Sequence, residues 1–274
     1  MSAPPGGNTA ASGMRWLGHA STLIVDRGTV VLTDPVLTDR VAHLRRRRGP
    51  TPLGFRTRHP DVVLLSHLHA DHTHLPSLRL LDPDVPIVVP WRAMDGLPAL
   101  RRFGDRLVPL RPGDETRIGA VTVRAVPAHH DGRRWRRGPQ LAPAVGYVVE
   151  GDRRTYFAGD TDLYPGLEDH VGPGVDLALL PVGGWGPTLG DGHLDPPRAV
   201  VAARLVEAAL AVPIHYGTLW PIGFDAVRPR SFFGPGAEFV HHAERAGLMA
   251  VELRPGDALG GSDGGHGSSG THRR

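Results

Sequence analysis

Between residues 14 and 255 the chain alternates short apolar runs with turns marked by glycine, proline and aspartate. Eight runs have the length and β-branched content of strands: residues 22–25, 30–32, 62–65, 87–89, 121–126, 144–149, 155–158 and 177–180. Three stretches read as helices. Residues 73–81 form one; residues 196–210 form a second, with Asp195 as N-cap and Pro196 at the first helical position; residues 236–246 form a third, after a Pro-Gly turn. Strands outnumber helices, and several follow one another with no helix between them. That order argues against alternating βαβ units and for an α/β architecture of sheet packed on sheet with helices outside.

A chain of 274 residues buries a sizeable core without staples. With 40% hydrophobic and 22% charged residues it has the composition of a soluble globular protein. The pattern predicts one domain over 14–255, flanked by disordered tails at 1–13 and 256–274. Residues 1–13 lack the basic start and apolar centre of a secretory signal. No apolar run approaches the ~18 residues that span a bilayer, so the expectation is a cytoplasmic protein with no transmembrane segment. The absence of cysteine excludes disulfides and thiolate ligands.

The net charge of +3 rests on 31 basic residues, all of them arginine. Together with 36 glycines and 27 prolines this is the residue usage of a GC-rich coding sequence, and no nucleic-acid partner is expected. The runs 45–48 and Arg133, Arg134, Arg136 and Arg137 keep a second reading as anion sites, because guanidinium forks match phosphate geometry.

Candidate chemistry concentrates in residues 65–72, Leu65-Ser66-His67-Leu68-His69-Ala70-Asp71-His72, which set three imidazoles and a carboxylate directly after an apolar strand. That donor density is a metal-site signal. Two adjacent divalent ions would need further nitrogen and oxygen donors at strand ends. His129-His130, Asp160 in Gly159-Asp160-Thr161, and His215 in His215-Tyr216-Gly217-Thr218 each follow an apolar run. In an extended segment His129 and His130 point to opposite faces, so one ion takes one of them.

In this order the residues resemble the metallo-β-lactamase superfamily: His67, His69, Asp71 and His72 match its HxHxDH motif, Asp160 its bridging carboxylate and His215 its last histidine. The resemblance covers roughly residues 14–253. It narrows to the branch of N-acylphosphatidylethanolamine-hydrolysing phospholipase D and ascorbate 6-phosphate lactonase. The further matches are Gly18-His19-Ala20, Thr33-Asp34-Pro35, Pro127-Ala128-His129-His130, Gly159-Asp160-Thr161 and His193-Leu194-Asp195-Pro196.

The resemblance implies a four-layer αββα sandwich of two mixed sheets. It implies one ion on His67, His69 and His130, a second on Asp71, His72 and His215, and Asp160 bridging. The nucleophile it implies is a metal-bridging hydroxide aimed by Asp71, with His193 as leaving-group acid or substrate contact, and His19 and Asp34 beside the ligands. Zinc is the first choice of metal; manganese, iron and nickel suit the same donors. Trp135 and Trp220 are candidate walls of a substrate cleft.

The expected activity is hydrolysis of a phosphodiester or other phosphorylated small molecule or lipid, an anionic substrate. Lactone or carboxylic ester hydrolysis is the alternative within enzymes, and a non-catalytic metal-binding module is the alternative outside them.

Overall fold

The computed structural model describes residues 12–135, 137–186, 188–224 and 229–260. Two large sheets dominate. The seven-stranded sheet runs, edge to edge, Ala258–Leu259, Gly13–Gly18, Ser21–Asp26, Thr29–Thr33, Val62–Leu64, Ile87–Pro90 and Leu107–Leu110. The six-stranded sheet runs Leu210–Ile214, Leu177–Pro181, Arg154–Phe157, Val145–Glu150, Val121–Pro127 and Glu115–Ile118. A small sheet of Leu219–Pro221, Leu44–Arg46 and Arg40–Val41 lies apart from both.

Side-chain alternation explains the layering. Ile24, Val31, Val62, Leu64 and Val88 join the main core with Tyr147, Val149 and Phe157 of the six-stranded sheet. Their strand neighbours Leu23, Leu32, Val63, Ile87 and Val89 face the other way, onto Leu78, Leu100 and Phe103. The seven-stranded sheet is therefore buried on both faces. The helices Pro196–Leu205 and Pro235–Arg245 add Ala199, Ala203, Phe239 and Ala243 to the main core. This is the expected αββα sandwich of two mixed sheets with helices outside.

Element boundaries differ in places. The helix expected at 73–81 is a single turn, Leu75–Leu78, after which the chain tightens so that Leu80 N donates to the Ser77 carbonyl at 3.0 Å. The helix expected to reach 210 ends at Leu205, because Glu207 takes a φ of 50° and turns the chain into Leu210–Ile214, a strand parallel to Leu177–Pro181. Asp195 caps it as expected, accepting from Arg198 N at 2.9 Å. The polar alternation of Gly13–Gly18 and Glu115–Ile118 hid two further strands.

Residues 1–11 and 261–274 of the expected tails lie outside the described residues. Ala258–Leu259, beyond residue 255, pairs antiparallel with Met14 and Arg15. Among the described residues no helix is long and apolar enough to cross a membrane.

Candidate metal centre

Strand direction delivers the donors to one edge. Arg154–Phe157, Leu177–Pro181 and Leu210–Ile214 are parallel, and Val121–Pro127 runs with them because it is two antiparallel steps away. Their C-terminal ends emerge together and carry His129 and His130, Asp160, Gly183 and His215. In the other sheet Thr29–Thr33 and Val62–Leu64 are parallel, and Gly13–Gly18 is two antiparallel steps from the first of them. His19, Asp34 and residues 67–72 follow those ends. The turns are sharp: His19, Asp34 and His215 hold positive φ values of 53°, 32° and 65°. Left-handed backbone at residues other than glycine costs about 1–3 kcal/mol each and persists only where neighbours fix it.

Two four-residue groups of donors result, each with its ligand atoms within 4.8 Å of one another: His67, His69, His130 and Asp160 in one, His19, Asp71, His72 and His215 in the other; Asp34 with His67 and His72 makes a third that overlaps both. The outward nitrogen of most rings is engaged. His72 Nδ1 faces Asp34 Oδ2 at 2.7 Å, His215 Nδ1 the Gly183 carbonyl at 2.8 Å, His130 Nδ1 the Gly192 carbonyl at 2.9 Å, and His67 Nδ1 the Ser66 hydroxyl at 3.0 Å. Nδ1–H donating outward leaves the Nε2 lone pair facing inward.

Inward, His69 Nδ1 lies 2.9 Å from His67 Nε2 and 3.2 Å from His130 Nε2, and the Nε2 atoms of His72 and His215 are 3.0 Å apart. Lone pairs at that separation repel unless a proton or a cation stands between them. Asp160 is 2% exposed, and its Oδ1 has no hydrogen-bond partner among the described residues. That oxygen is 3.2 Å from His215 Nε2, while Oδ2 is 3.2 Å from His72 Nε2 and 4.0 Å from the Nε2 atoms of His67 and His130. One buried carboxylate thus reaches both groups. The donor chemistry fits divalent cations.

Electrostatics divides the histidines. Burial, reinforced by the neighbouring imidazoles, holds His67 well below the ordinary range. Burial likewise pushes His130 down to about 4 and His215 to about 3. Burial opposes charge on His72 too, but Asp160, Asp34 and Asp71 around it outweigh that and raise it well above the ordinary value. For Asp160 and Asp71 burial pushes upward, and the histidines beside them overcome it, His215 and His72 at Asp160 and His72 and His19 at Asp71. The two carboxylates stay ionised.

A family model described as the beta-lactamase superfamily domain matches residues 29–216. The chain belongs to the metallo-β-lactamase superfamily. It is 30% identical over 247 residues to a UPF0173 metal-dependent hydrolase of Thermus thermophilus, across 90% of this chain and 97% of that relative. It is also 30% identical over 233 residues to N-acyl-phosphatidylethanolamine-hydrolyzing phospholipase D 1 of Caenorhabditis elegans, across 76% of this chain and 64% of that protein. The solved structure of Igni18, a metallo hydrolase of Ignicoccus hospitalis, superposes with a TM-score of 0.66 at 20% identity, over 92% of this chain and 99% of that one. The fold and the family agree: the protein is a metal-dependent hydrolase.

Within this metallo-β-lactamase hydrolase the side chains of His67, His69, Asp71, His72, His130, Asp160 and His215 lie together. His129 does not join them; its backbone bridges to Asp162. His19 is more central than a rim position: it is fully buried, with Nε2 2.8 Å from Asp71 Oδ2. Asp34 is buried behind His72. His193 Nε2 lies 3.6 Å from Asp160 Oδ2, and its ring stands edge-on to His130 at 4.6 Å.

The tryptophan expectations change. Trp220 is 2% exposed, packed on Phe232, with its indole N–H donating to the Phe224 carbonyl; it is a packing residue rather than a cleft wall. Trp135 is 68% exposed, and its ring contact is with Arg134.

Arg133 and Arg134 are committed to protein. Arg133 pairs with Asp131 and the Gly138 carbonyl, and Arg134 donates to the carbonyls of Leu68 and Thr73. Arg136 lies outside the described residues. Sequence reasoning missed Ser66, whose hydroxyl donates to Asp34 Oδ2 at 2.5 Å and accepts from His67. It also missed the Gly183 and Gly192 carbonyls, since backbone acceptors leave no side-chain signature.

Proposed function

We propose that this hydrolase holds two divalent cations, zinc first among them, and cleaves a phosphodiester bond of a small molecule or lipid. The observation that carries the two-cation reading is Asp160, ionised, buried and within 4.0 Å of facing nitrogens in both histidine groups, those of His67 and His130 in one and of His72 and His215 in the other. His67, His69 and His130 would hold one cation, Asp71, His72 and His215 the second, and Asp160 both. Such cations when bound supply Lewis acidity and lower the pKa of water to roughly 7.

The chain's own groups have separable tasks. Asp34, Ser66 and the carbonyls of Gly183 and Gly192 fix the ring tautomers, so that neutral imidazole nitrogens face the centre. Asp71 gives one oxygen to His19, leaving the other to face the second cation and to accept a hydrogen bond that aims the attacking water. Burial lowers His193, but the Asp160 carboxylate 3.6 Å from its Nε2 outweighs that and raises it above the ordinary value, which suits proton donation from Nε2 to the departing alkoxide. Its Nδ1 is tied to the Gly190 carbonyl at 3.1 Å, so the ring stays oriented when Nε2 is deprotonated.

A phosphodiester is favoured by the likeness to the phospholipase of Caenorhabditis elegans. The engagement of Arg133 and Arg134 with protein partners favours the second reading, a lactone or carboxylic ester. Turnover of bis-p-nitrophenyl phosphate, a phospholipid panel and a lactone panel decides between them. The expected result is phosphodiester turnover that His69→Ala abolishes; equal rates in wild type and variant would refute it.

A further inference from the structure

Arg46 is almost wholly buried, its side chain 2% exposed, and among the described residues its one carboxylate partner is Asp39, 4.0 Å from Nε. Burial lowers its pKa to about 10, and Nε has no hydrogen-bond partner among the described residues. A guanidinium kept in the interior with only a distant, solvent-exposed carboxylate to balance it is costly, and a hydrophobic side chain of similar length would be less so. Its two outer nitrogens have definite tasks. Nη1 donates to the Leu17 carbonyl at 3.1 Å and Nη2 to the Val36 carbonyl at 2.8 Å.

Those carbonyls lie two residues before His19 and two residues after Asp34. Both residues carry strained positive φ, and both touch the second donor group, His19 through Asp71 and Asp34 through His72. The same strand ties down a third segment. Arg46 pairs with Leu219, Arg47 N donates to the Thr218 carbonyl, and Thr218 Oγ1 accepts from His19 N at 2.8 Å. His215 N in turn donates to the His19 carbonyl at 2.9 Å. Gly18 sits in the angle: a Cβ there would lie 2.9 Å from Arg46 Nη1 and 2.7 Å from Thr218 Cγ2.

We propose that Arg46 is a positioning residue for the second cation group, a clamp that joins the His19 and Asp34 turns and so sets Asp71 and His72 without touching either. The proposal rests on the two-cation reading above. In the first group His69 and His130 have no hydrogen bond to either turn, and His67 reaches Asp34 only at one remove, through the Ser66 hydroxyl, so the effect falls chiefly on the second group.

The test is Zn²⁺ titration of the metal-free full-length protein against a competing chelator, for wild type, Arg46→Met, Arg46→Lys and the exposed neighbour Arg45→Ala. Wild type and Arg45→Ala bind two equivalents alike. Arg46→Met loosens one equivalent about 10–100-fold, the range seen when groups behind metal ligands are removed, and leaves the other within about twofold. In a His69→Ala background the remaining tight equivalent reports the second group, and Arg46→Met loosens it by the same factor.

Unchanged affinities, or equal loosening of both equivalents in a variant with native circular dichroism, would overturn the proposal. If Arg46→Met does not fold, Arg46→Lys, which keeps the charge and reaches one carbonyl, is read by the same criteria. A wild type that binds one equivalent refutes the two-cation reading instead, and does so before any Arg46 variant is measured.

Discussion

Replacing Asp34 by asparagine changes one buried oxygen into an NH₂ group and leaves the shape almost intact. The carboxylate accepts from Ser66 N at 2.8 Å through Oδ1, and from Ser66 Oγ at 2.5 Å and His72 Nδ1 at 2.7 Å through Oδ2. An amide has one accepting oxygen. If that oxygen stays on Ser66 N, the NH₂ faces His72 Nδ1, and the imidazole must move its proton to Nε2, the atom that faces His215 and Asp160. If the amide flips, Ser66 N loses its acceptor.

An orphaned buried donor costs about 1–3 kcal/mol. Loss of the partner behind a metal-binding histidine weakens metal affinity about 10–100-fold, which at ~1.4 kcal/mol per tenfold is the same size. Asp34→Asn is therefore expected to loosen Zn²⁺ at the His72 group by one to two orders of magnitude while the fold survives. Competitive chelator titration measures the affinity, and long-range ¹H–¹⁵N NMR of the imidazoles reports the tautomer. Unchanged affinity with the His72 proton still on Nδ1 would refute the argument.

Chelation with EDTA is expected to abolish hydrolysis and lower the melting temperature, because a ligand at 100 times its Kd stabilises the native state by about 2.7 kcal/mol; calorimetry with and without Zn²⁺ checks both signs. Gly159→Ala places a Cβ 2.7 Å from Ser66 Cβ at a backbone φ of 62°, so it should destabilise the protein by about 1–3 kcal/mol and displace Asp160, read as a lower urea midpoint with weaker metal binding.

The metal-free protein is expected to be acid-labile. His130 and His215 are held at about 4 and about 3, against 6.5 unfolded, so below 6.5 the unfolded chain takes up protons that the native one refuses. Their contribution is complete above 6.5 and is lost as pH falls from there through about 4 for His130 and about 3 for His215. His67 and His69 act in the same sense and the raised His72 and His193 in the opposite one. A urea midpoint of the metal-free protein that rises on acidification would contradict this balance.

The periodic and covalent information in the chain was enough for much of this. Apolar runs of strand length marked the inner strands, Asp195-Pro196 marked a helix start, and the dense motif at 67–72 announced a metal site, because local spacing alone puts several donors on one short loop. Strands that alternate with polar residues, Gly13–Gly18 and Glu115–Ile118, escaped notice because little in their pattern separates them from loops.

What the tertiary structure decided is which distant donors converge and how each is oriented. His19, Asp34, His130, Asp160 and His215 share an edge because strands far apart in sequence point the same way, a property of sheet topology that no local pattern encodes. Tautomers depend on carbonyls and hydroxyls such as Gly183, Gly192 and Ser66, which meet the histidines only after folding. The arginine runs make the same point. As sequence they were uniform positive charge; folded, Arg133 pairs with Asp131, Arg134 holds the motif loop and Arg46 is buried between two turns, because burial and partner, not residue type, determine what a guanidinium does.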